Sequence, residues 1–368
     1  MTKLEQELGK LRDEIDSIDR QVLELVSERA RCAQRVADAK QEHSETEADA
    51  VFYRPEREAQ VLRRIMERNG GPLGDEEVAR IFRQVMSSCL ALEQPMHIAF
   101  LGPEGTFTQQ AALKHFGASV ISVPLGSIDE VFREVESRAA HYGVVPIENS
   151  TEGMVHHTLD MFRQSDLKIC GEVELRIHQH LLAAEGVDLE GVTRIYSHQQ
   201  SLAQCRRWLD ARYPAVERIA VSSNAEAARR AAEEKDDNVV AIAGDMAAEL
   251  YNLNIVAETI EDQPDNTTRF LVVGHQLSGP SGKDKTSMLI AARNKPGALY
   301  HLLEPFHRFG ISLTRLETRP SGIATWGYIF YLDCEGHFSD EPIQSVMKEL
   351  ADDTLELKLL GSYPQAVL

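Results

Sequence analysis

Residues 3–40, KLEQELGKLRDEIDSIDRQVLELVSERARCAQRVADAK, decide how the N-terminal quarter of the chain folds. Leu4, Leu8, Leu11, Ile15, Ile18, Val22 and Leu25 follow one another at steps of four and three, an apolar stripe on one face of an α-helix. The first proline is Pro55, so nothing interrupts this pattern and the spacing predicts one helix to about Lys40. At ~1.5 Å per residue that helix is about 55 Å long, more than a small helical domain buries by itself. A partner chain is implied.

Working outward, a second helix opens at Arg54-Pro55 and stops at Asn69-Gly70-Gly71, and a third runs from Asp75 to just before Pro95. Three helices therefore account for residues 1–94. Beyond Pro95 short apolar runs alternate with helical stretches: HIAFLG, ASVISV, YGVVP, RIYS, RIAVSS, NVVAIAG and TRFLVVG. This pattern predicts an α/β domain with a largely parallel or mixed sheet over 96–274. The polar, glycine-rich QLSGPSGKDK (276–285) reads as the next boundary. From 286 to 368 the order is strand TSMLIAAR, a helix from Ala298 to Phe309, strands ISLTRLET and TWGYIFYLDC, a helix near Glu341–Leu350, and strand LELKLLG. That is βαββαβ, an α+β ferredoxin-like arrangement.

The 368 residues are 43% hydrophobic and 26% charged, which excludes disordered and low-complexity classes. A net charge of −19 excludes a general nucleic-acid or anionic-membrane binder, since the overall field repels phosphate. Any anionic substrate must meet local donors. Cys32, Cys89, Cys170, Cys205 and Cys334 contain no Cys-x-x-Cys pair and read as free thiols of a reducing compartment. The charged N-terminus offers no apolar signal core, and no run approaches a membrane span, so a cytoplasmic location is expected.

Extending the stripe of the first helix brings Arg29 onto its apolar face. A guanidinium there needs an anion. Lys40 follows eleven residues later and faces the same way, whereas Arg12 is roughly 25 Å away along the axis. One small ligand reaches Arg12 only from a second, dimer-related helix. Glu93 sits at the edge of the third helix's apolar face, and Arg57 and Glu58 follow the first turn of the second. Solvated helix surface with salt bridges is the plain alternative for all these charges.

In the central domain four segments place polar groups at strand ends, the usual location of a site in α/β proteins. They are GPEGTFT after the first strand, VVPIENSTEG with Glu148 and Asn149, YSHQQSLAQC with Ser197 and Gln204, and DNTTRFLVVG with Thr268, Arg269 and Phe270. Loop caps and Asx turns explain each segment equally well when taken singly. His156, His157, His178, His180 and His198 show no HExxH pattern, so neither a metal nor any other cofactor is expected. Ser197 and His198 are adjacent and point to opposite faces of a strand, which disfavours a nucleophilic triad.

The helical segment, with FYRPEREAQVLRRI and IFRQVMSSCLALEQ, resembles the all-helical chorismate mutase family over essentially residues 1–94. The resemblance implies an intertwined dimer that rearranges chorismate to prephenate. It also implies Arg12 of the partner and Arg29 on the substrate carboxylates, Lys40 on the ether oxygen, and Arg57 and Glu58 supporting the pocket, with Glu58 on the substrate hydroxyl. Arg54 replaces an acidic residue of that family, the loop from Gln41 to Val51 is longer and more acidic, and Glu93 stands where some members carry Gln. An ionised Glu cannot donate to the ether oxygen, so a protonated Glu93 is expected in the complex.

GPEGTFT, VVPIENSTEG, IYSHQQSLAQC and NTTRFLV together closely resemble the prephenate dehydratase family, over about 97–273. That family folds as two α/β lobes around a cleft, like periplasmic binding proteins, and converts prephenate to phenylpyruvate. The resemblance implies Thr268 on the departing hydroxyl, Asn149, Ser197 and Gln204 lining the pocket, Arg269 on a carboxylate and Phe270 beneath the ring. Glu148 stays open as a rival proton donor. NKPGALYHLLEPFHRFGISLTRLETRP resembles the ACT regulatory domain, which implies phenylalanine binding at a subunit interface by Gly297, Ala298 and Leu299 with Glu317, Thr318, Arg319 and Pro320. The three resemblances follow the order of the bifunctional chorismate mutase/prephenate dehydratase family. They imply chorismate and prephenate as substrates, L-phenylalanine as inhibitory effector, a homodimer or higher homo-oligomer, and no nucleic acid or membrane partner. A non-catalytic sensor built from a solute-binding fold and an ACT domain is the alternative from another class.

Overall fold

The computed structural model describes residues 2–43, 53–234, 238–292, 295–320 and 328–368, and all that follows concerns these residues. The acidic part of the loop before Val51 and the first residues of the TWGYIFYLDC run lie outside them.

Helix α1 (Lys3–His43) runs unbroken, as its stripe predicts, for roughly 60 Å at ~1.5 Å per residue. α2 (Pro55–Arg68) starts on its proline, where the missing N–H costs nothing, and α3 (Asp75–Glu93) carries three acids in its first turn. α3 packs against both other helices. The N-terminal half of α1 does not share that packing: Leu4 is 64% exposed, Ile15 56% and Leu25 65%. Seven apolar side chains in a row on open solvent are unusual for a chain that works alone.

The central unit is two lobes. The first contains β1 (His97–Leu101), α4 (Phe107–Phe116), β2 (Ile121–Leu125), α5 (Ile128–Glu136), β3 (Tyr142–Asn149), β4 (Gly153–Met154), α6 (His156–Gln164) and β5 (Lys168–Arg176). The chain then crosses to the second lobe: β6 (His180–Ala183), β7 (Arg194–His198), α7 (Gln199–Gln204), α8 (Arg206–Arg212), β8 (Glu217–Val221), α9 (Asn224–Glu233), β9 (Val239–Ala243), α10 (Asp245–Leu250) and β10 (Asn254–Ala257). It returns as β11 (Thr267–Gly274), which completes the first sheet in the order β2-β1-β3-β11-β5, with β4 on β3. The second sheet runs β10-β6-β9-β7-β8. Both are mixed, as the alternating texture predicts. Two crossings join the lobes, residues 177–179 and 258–266, and they are pinned to each other where Ile177 N–H donates to Asn266 C=O and Ile260 N–H to Gln179 C=O.

The C-terminal unit is β12 (Asp284–Ala292), α11 (Ala298–Arg308), β13 (Leu313–Pro320), β14 (Tyr328–Glu335), α12 (Glu341–Asp353) and β15 (Thr354–Pro364), the expected βαββαβ order. Its antiparallel sheet, β13-β14-β12-β15, packs on the first lobe through a shared core in which Leu289, Tyr331 and Tyr363 meet Val145, Leu159 and Leu271. The stretch 276–285, read as a boundary, is no loose tether. Arg63 of α2 donates to the Ser281 hydroxyl and the Lys283 and Gln365 carbonyls, and Gln60 to the Pro280 carbonyl, so helical and C-terminal units are clasped together.

Candidate active sites

A cleft of about 730 Å³ opens between the two lobes. Asn149 and Thr268 border it from the ends of neighbouring strands, Gln179 and Asn266 from the two crossings, and His198, Ser201, Gln204 and Asn224 from the second lobe. α4 and α9 both begin at its wall, on Thr106 and Ser223 caps whose side chains accept from Gln109 and Glu226 N–H. Each helix N-terminus brings to the cleft wall backbone donors and the positive end of a dipole, which favour negative charge. Among the described residues the lining contains no Lys or Arg.

Fixed backbone donors determine which way each amide in this cleft points. The Thr151 and Glu152 N–H groups both donate to Asn149 Oδ1 at 3.0 Å, so the other end of that side chain is its NH2. It donates to Thr268 Oγ1 at 2.8 Å and Asn266 Oδ1 at 2.9 Å. Asn266 Nδ2 in turn donates to Gln204 Oε1 at 3.1 Å. Two groups come out of this chain as donors: the Thr268 hydroxyl, which receives Asn149, and the Gln204 NH2. His198 Nδ1 accepts from the Gln200 N–H, and burial holds its pKa below the ordinary histidine value, opposed by Glu152. The imidazole is therefore neutral with its proton on Nε2.

The other dehydratase residues expected from the sequence lie elsewhere. Thr268 pairs with Asn149 and Arg269 with Glu148, and alternation along a strand sends the second pair to the opposite face of the sheet from the first. Arg269 there donates to Glu172 at 2.8 Å, Asp333 at 2.9 Å and the Tyr363 hydroxyl at 3.1 Å, so it belongs to the contact with the C-terminal sheet rather than to a ligand in the cleft. Glu148 is likewise absent from the cleft lining, and Phe270 is buried in the core beneath β1 and α4. Ser197 is fully buried one layer back, held by Asn224 and the Ile242 carbonyl. Sequence reasoning missed Gln179, Asn224, Asn266 and Ser201, and weighed His198 only as a metal ligand or triad member. For Asn224 the signal was present in SSNAE, a Ser-initiated helix start beside a strand end.

In the helical unit Lys40 and Glu93 meet at 3.6 Å. Burial raises the Glu93 pKa, against the pull of Lys40 and Arg29. Three of the expected residues thus converge. Arg12 stays exposed, far along α1. Glu58 does not join them: it is ion-paired to Arg83 at 3.1 Å and faces the first lobe near Tyr53 and His115. Arg83 lies ten residues before Glu93 on α3, about 15 Å along the axis. Arg54 and Arg57 are exposed at the start of α2.

At the C-terminal unit Gly297 has φ +79°, a left-handed turn that opens α11, with Ala298 and Leu299 following. Glu317, Thr318, Arg319 and Pro320 end the edge strand β13. Arg319 reaches Asp160 of α6 at 2.8 Å, which ties this segment to the first lobe.

A helical unit with a cation–carboxyl cluster, a two-lobed cleft of oriented neutral donors and a ferredoxin-like unit docked behind that cleft define a multidomain protein with two candidate sites for small molecules. Family comparison divides the chain in the same way: chorismate mutase type II matches residues 11–94, prephenate dehydratase 98–278 and the ACT domain 286–352. The chain is 61% identical to the bifunctional chorismate mutase/prephenate dehydratase of Stutzerimonas stutzeri, over 98% of this chain and 99% of that protein. It is equally 61% identical to that of Pseudomonas aeruginosa, with 98% and 99% covered. A crystal structure of prephenate dehydratase from Arthrobacter aurescens in complex with L-Phe superposes with TM-score 0.68 at 34% identity, covering 73% of this chain and 90% of that one. The chain belongs to the bifunctional chorismate mutase/prephenate dehydratase family.

Proposed function

We propose that the chain carries out two consecutive steps toward phenylalanine, chorismate to prephenate in the helical unit and prephenate to phenylpyruvate in the cleft, under feedback by phenylalanine. The observation that carries this reading is the Thr268 hydroxyl, held as a donor by Asn149 in a cleft whose lining, among the described residues, contains no Lys or Arg. Loss of the ring carboxylate as carbon dioxide sends its electron pair into the ring, and the C–O bond breaks as the ring becomes aromatic. The departing hydroxide is stabilised as it forms by the hydrogen bond from Thr268 and leaves as water on taking a proton that solvent supplies. Neutral donors suit a carboxylate that has to leave, since a guanidinium would hold it in the ground state.

The rearrangement needs no nucleophile, only the reactive conformer and stabilisation of charge on the breaking ether oxygen. Lys40 supplies one donor and protonated Glu93 the second, with Arg29 and the partner subunit's Arg12 on the carboxylates. The exposed stripe of α1 supports the intertwined homodimer that this requires. Phenylalanine is assigned to Gly297–Leu299 and Glu317–Pro320 of paired C-terminal units, with the Arg319–Asp160 contact carrying the signal. A cytoplasmic location fits a biosynthetic role, and no described helix is long and apolar enough to cross a membrane.

Purified protein given chorismate is expected to accumulate prephenate transiently and phenylpyruvate finally, with phenylalanine suppressing the second product. Prephenate as the only product removes the dehydratase, and a rate indifferent to phenylalanine removes the feedback.

Glu93 makes a separate prediction. Its raised pKa extends the neutral, donating form to higher pH, and a bound dianion raises it further. Mutase activity is expected to fall as pH rises through that pKa, and Glu93→Gln, neutral at every pH, is expected to flatten the fall. An identical pH–rate profile in the variant removes Glu93 as donor.

A further inference from the structure

Ser201 is only 4% exposed, yet it borders the cleft. Its surroundings leave its hydroxyl a single orientation. The His198 backbone N–H donates to Asn224 Oδ1 at 3.1 Å, which fixes that amide as it does Asn149 in the other lobe. Asn224 Nδ2 then donates to Ser201 Oγ at 2.9 Å and to Gln179 Oε1 at 3.2 Å. With its oxygen so engaged, Gln179 presents its Nε2 to Ser201 Oγ at 3.1 Å. A serine oxygen has two lone pairs, and both are now occupied by N–H donors that cannot be reversed. Its proton must go elsewhere, and among the described residues no acceptor takes it. A buried hydroxyl does not leave a donor unused without cost.

The geometry points to Ser201 as the second-lobe ligand of the carboxylate on the substrate's 2-oxo-acid side chain. A carboxylate is an acceptor-only group, and among the described residues the cleft lining offers it no Lys or Arg. Of the substrate's two carboxylates, the ring one has to depart, and a strong donor on it would oppose its loss; the side-chain one stays through the reaction and has to be anchored. Ser201 and Thr268 then divide the work between the lobes, the first holding the group that remains and the second assisting the group that leaves. Gln179, which orients Ser201, lies on a crossing between the lobes, so the anchor is set from the segment about which they meet.

This assignment rests on the dehydratase reading, and the two fail separately: wild-type turnover tests the reading, and the variant against wild type tests Ser201. Phenylpyruvate is the diagnostic ligand, because it keeps the side-chain carboxylate and lacks the ring one. In Ser201→Ala the KM for prephenate and the product-inhibition constant of phenylpyruvate are both expected to rise about tenfold, the loss of one hydrogen bond to a charged group, with kcat within about threefold. Ser201→Cys keeps a weak acceptor for both amides and a poor donor, so it gives the same rise should the alanine variant not fold. Mutase activity in the same chain monitors the preparation. Unchanged KM, a rise for prephenate without one for phenylpyruvate, or a collapse of kcat at constant KM each overturns the assignment.

Discussion

Thr268→Ala is expected to lower the dehydratase kcat by a factor of about 10² to 10³, roughly 3–4 kcal/mol, while chorismate consumption continues at the wild-type rate and prephenate accumulates. The size follows from where the hydroxyl sits. Asn149, locked by the Thr151 and Glu152 N–H groups, occupies one lone pair of Thr268 Oγ1 and leaves the proton to be given into the cleft. A methyl in its place makes the ring expel hydroxide without a directed donor. Thr268→Ser retains the donor and is expected to keep kcat within about tenfold, the loss coming from a freer rotamer. Glu148→Gln serves as comparison. Its side chain leaves the sheet on the face opposite Thr268, so kcat and its pH dependence are expected to stay near wild type. A Thr268→Ala enzyme of near-normal kcat beside an inactive Glu148→Gln enzyme reverses the assignment.

The contrast between neighbouring residues explains what the sequence could convey about the site and what it could not. The Asn149 and Thr268 segments were legible because both end strands next to a loop, where an α/β fold exposes its chemistry. That Arg269 turns away was not legible, because adjacency in sequence does not say which face of the sheet borders the cleft. Ser201 lies inside the YSHQQSLAQC segment, but nothing in that segment singles it out: the amides that orient it come from Gln179 and Asn224, more than twenty residues away on either side. Among the elements, the heptad stripe and the Pro55 and Asp75 helix starts are local signals and gave their helices nearly to the residue. β5 has no such signal. In KICGEVELR the charges of Glu172, Glu174 and Arg176 break the apolar run, and Glu172 is nonetheless buried because Arg269 and Lys285 arrive from distant parts of the chain to neutralise it.

That neutralisation carries the second large effect. Arg269→Met is expected to destabilise the union of the first lobe and the C-terminal sheet by about 3–5 kcal/mol, the usual consequence of removing one partner from a buried ionic cluster. Arg269 holds Glu172, Asp333 and Tyr363 at once. Its removal leaves Glu172 to Lys285 and Asp333 to Arg315, 3.4 Å away, and the Ser287 hydroxyl. The pH dependence identifies the cause. Burial alone would raise the Asp333 pKa, but Arg269 and Arg315 outweigh it and hold the carboxyl below the ordinary value. A carboxyl depressed on folding stabilises above its unfolded pKa, and that contribution disappears as pH falls through the folded one. The melting difference between wild type and Arg269→Met is therefore expected to be full at pH 7 and to narrow as pH falls, with Asp333 taking up its proton earlier in the variant, where burial is opposed by Arg315 without Arg269. Kinetics separate this role from substrate binding. An arginine gripping a substrate carboxylate, when removed, raises KM tenfold or more and leaves melting alone, whereas the cluster observed here predicts lowered melting with the KM for prephenate within about threefold. Because Arg269 immediately follows Thr268 on β11, the same variant is expected to weaken the proposed inhibition by phenylalanine: the strand that presents the Thr268 hydroxyl is the strand the C-terminal sheet grips.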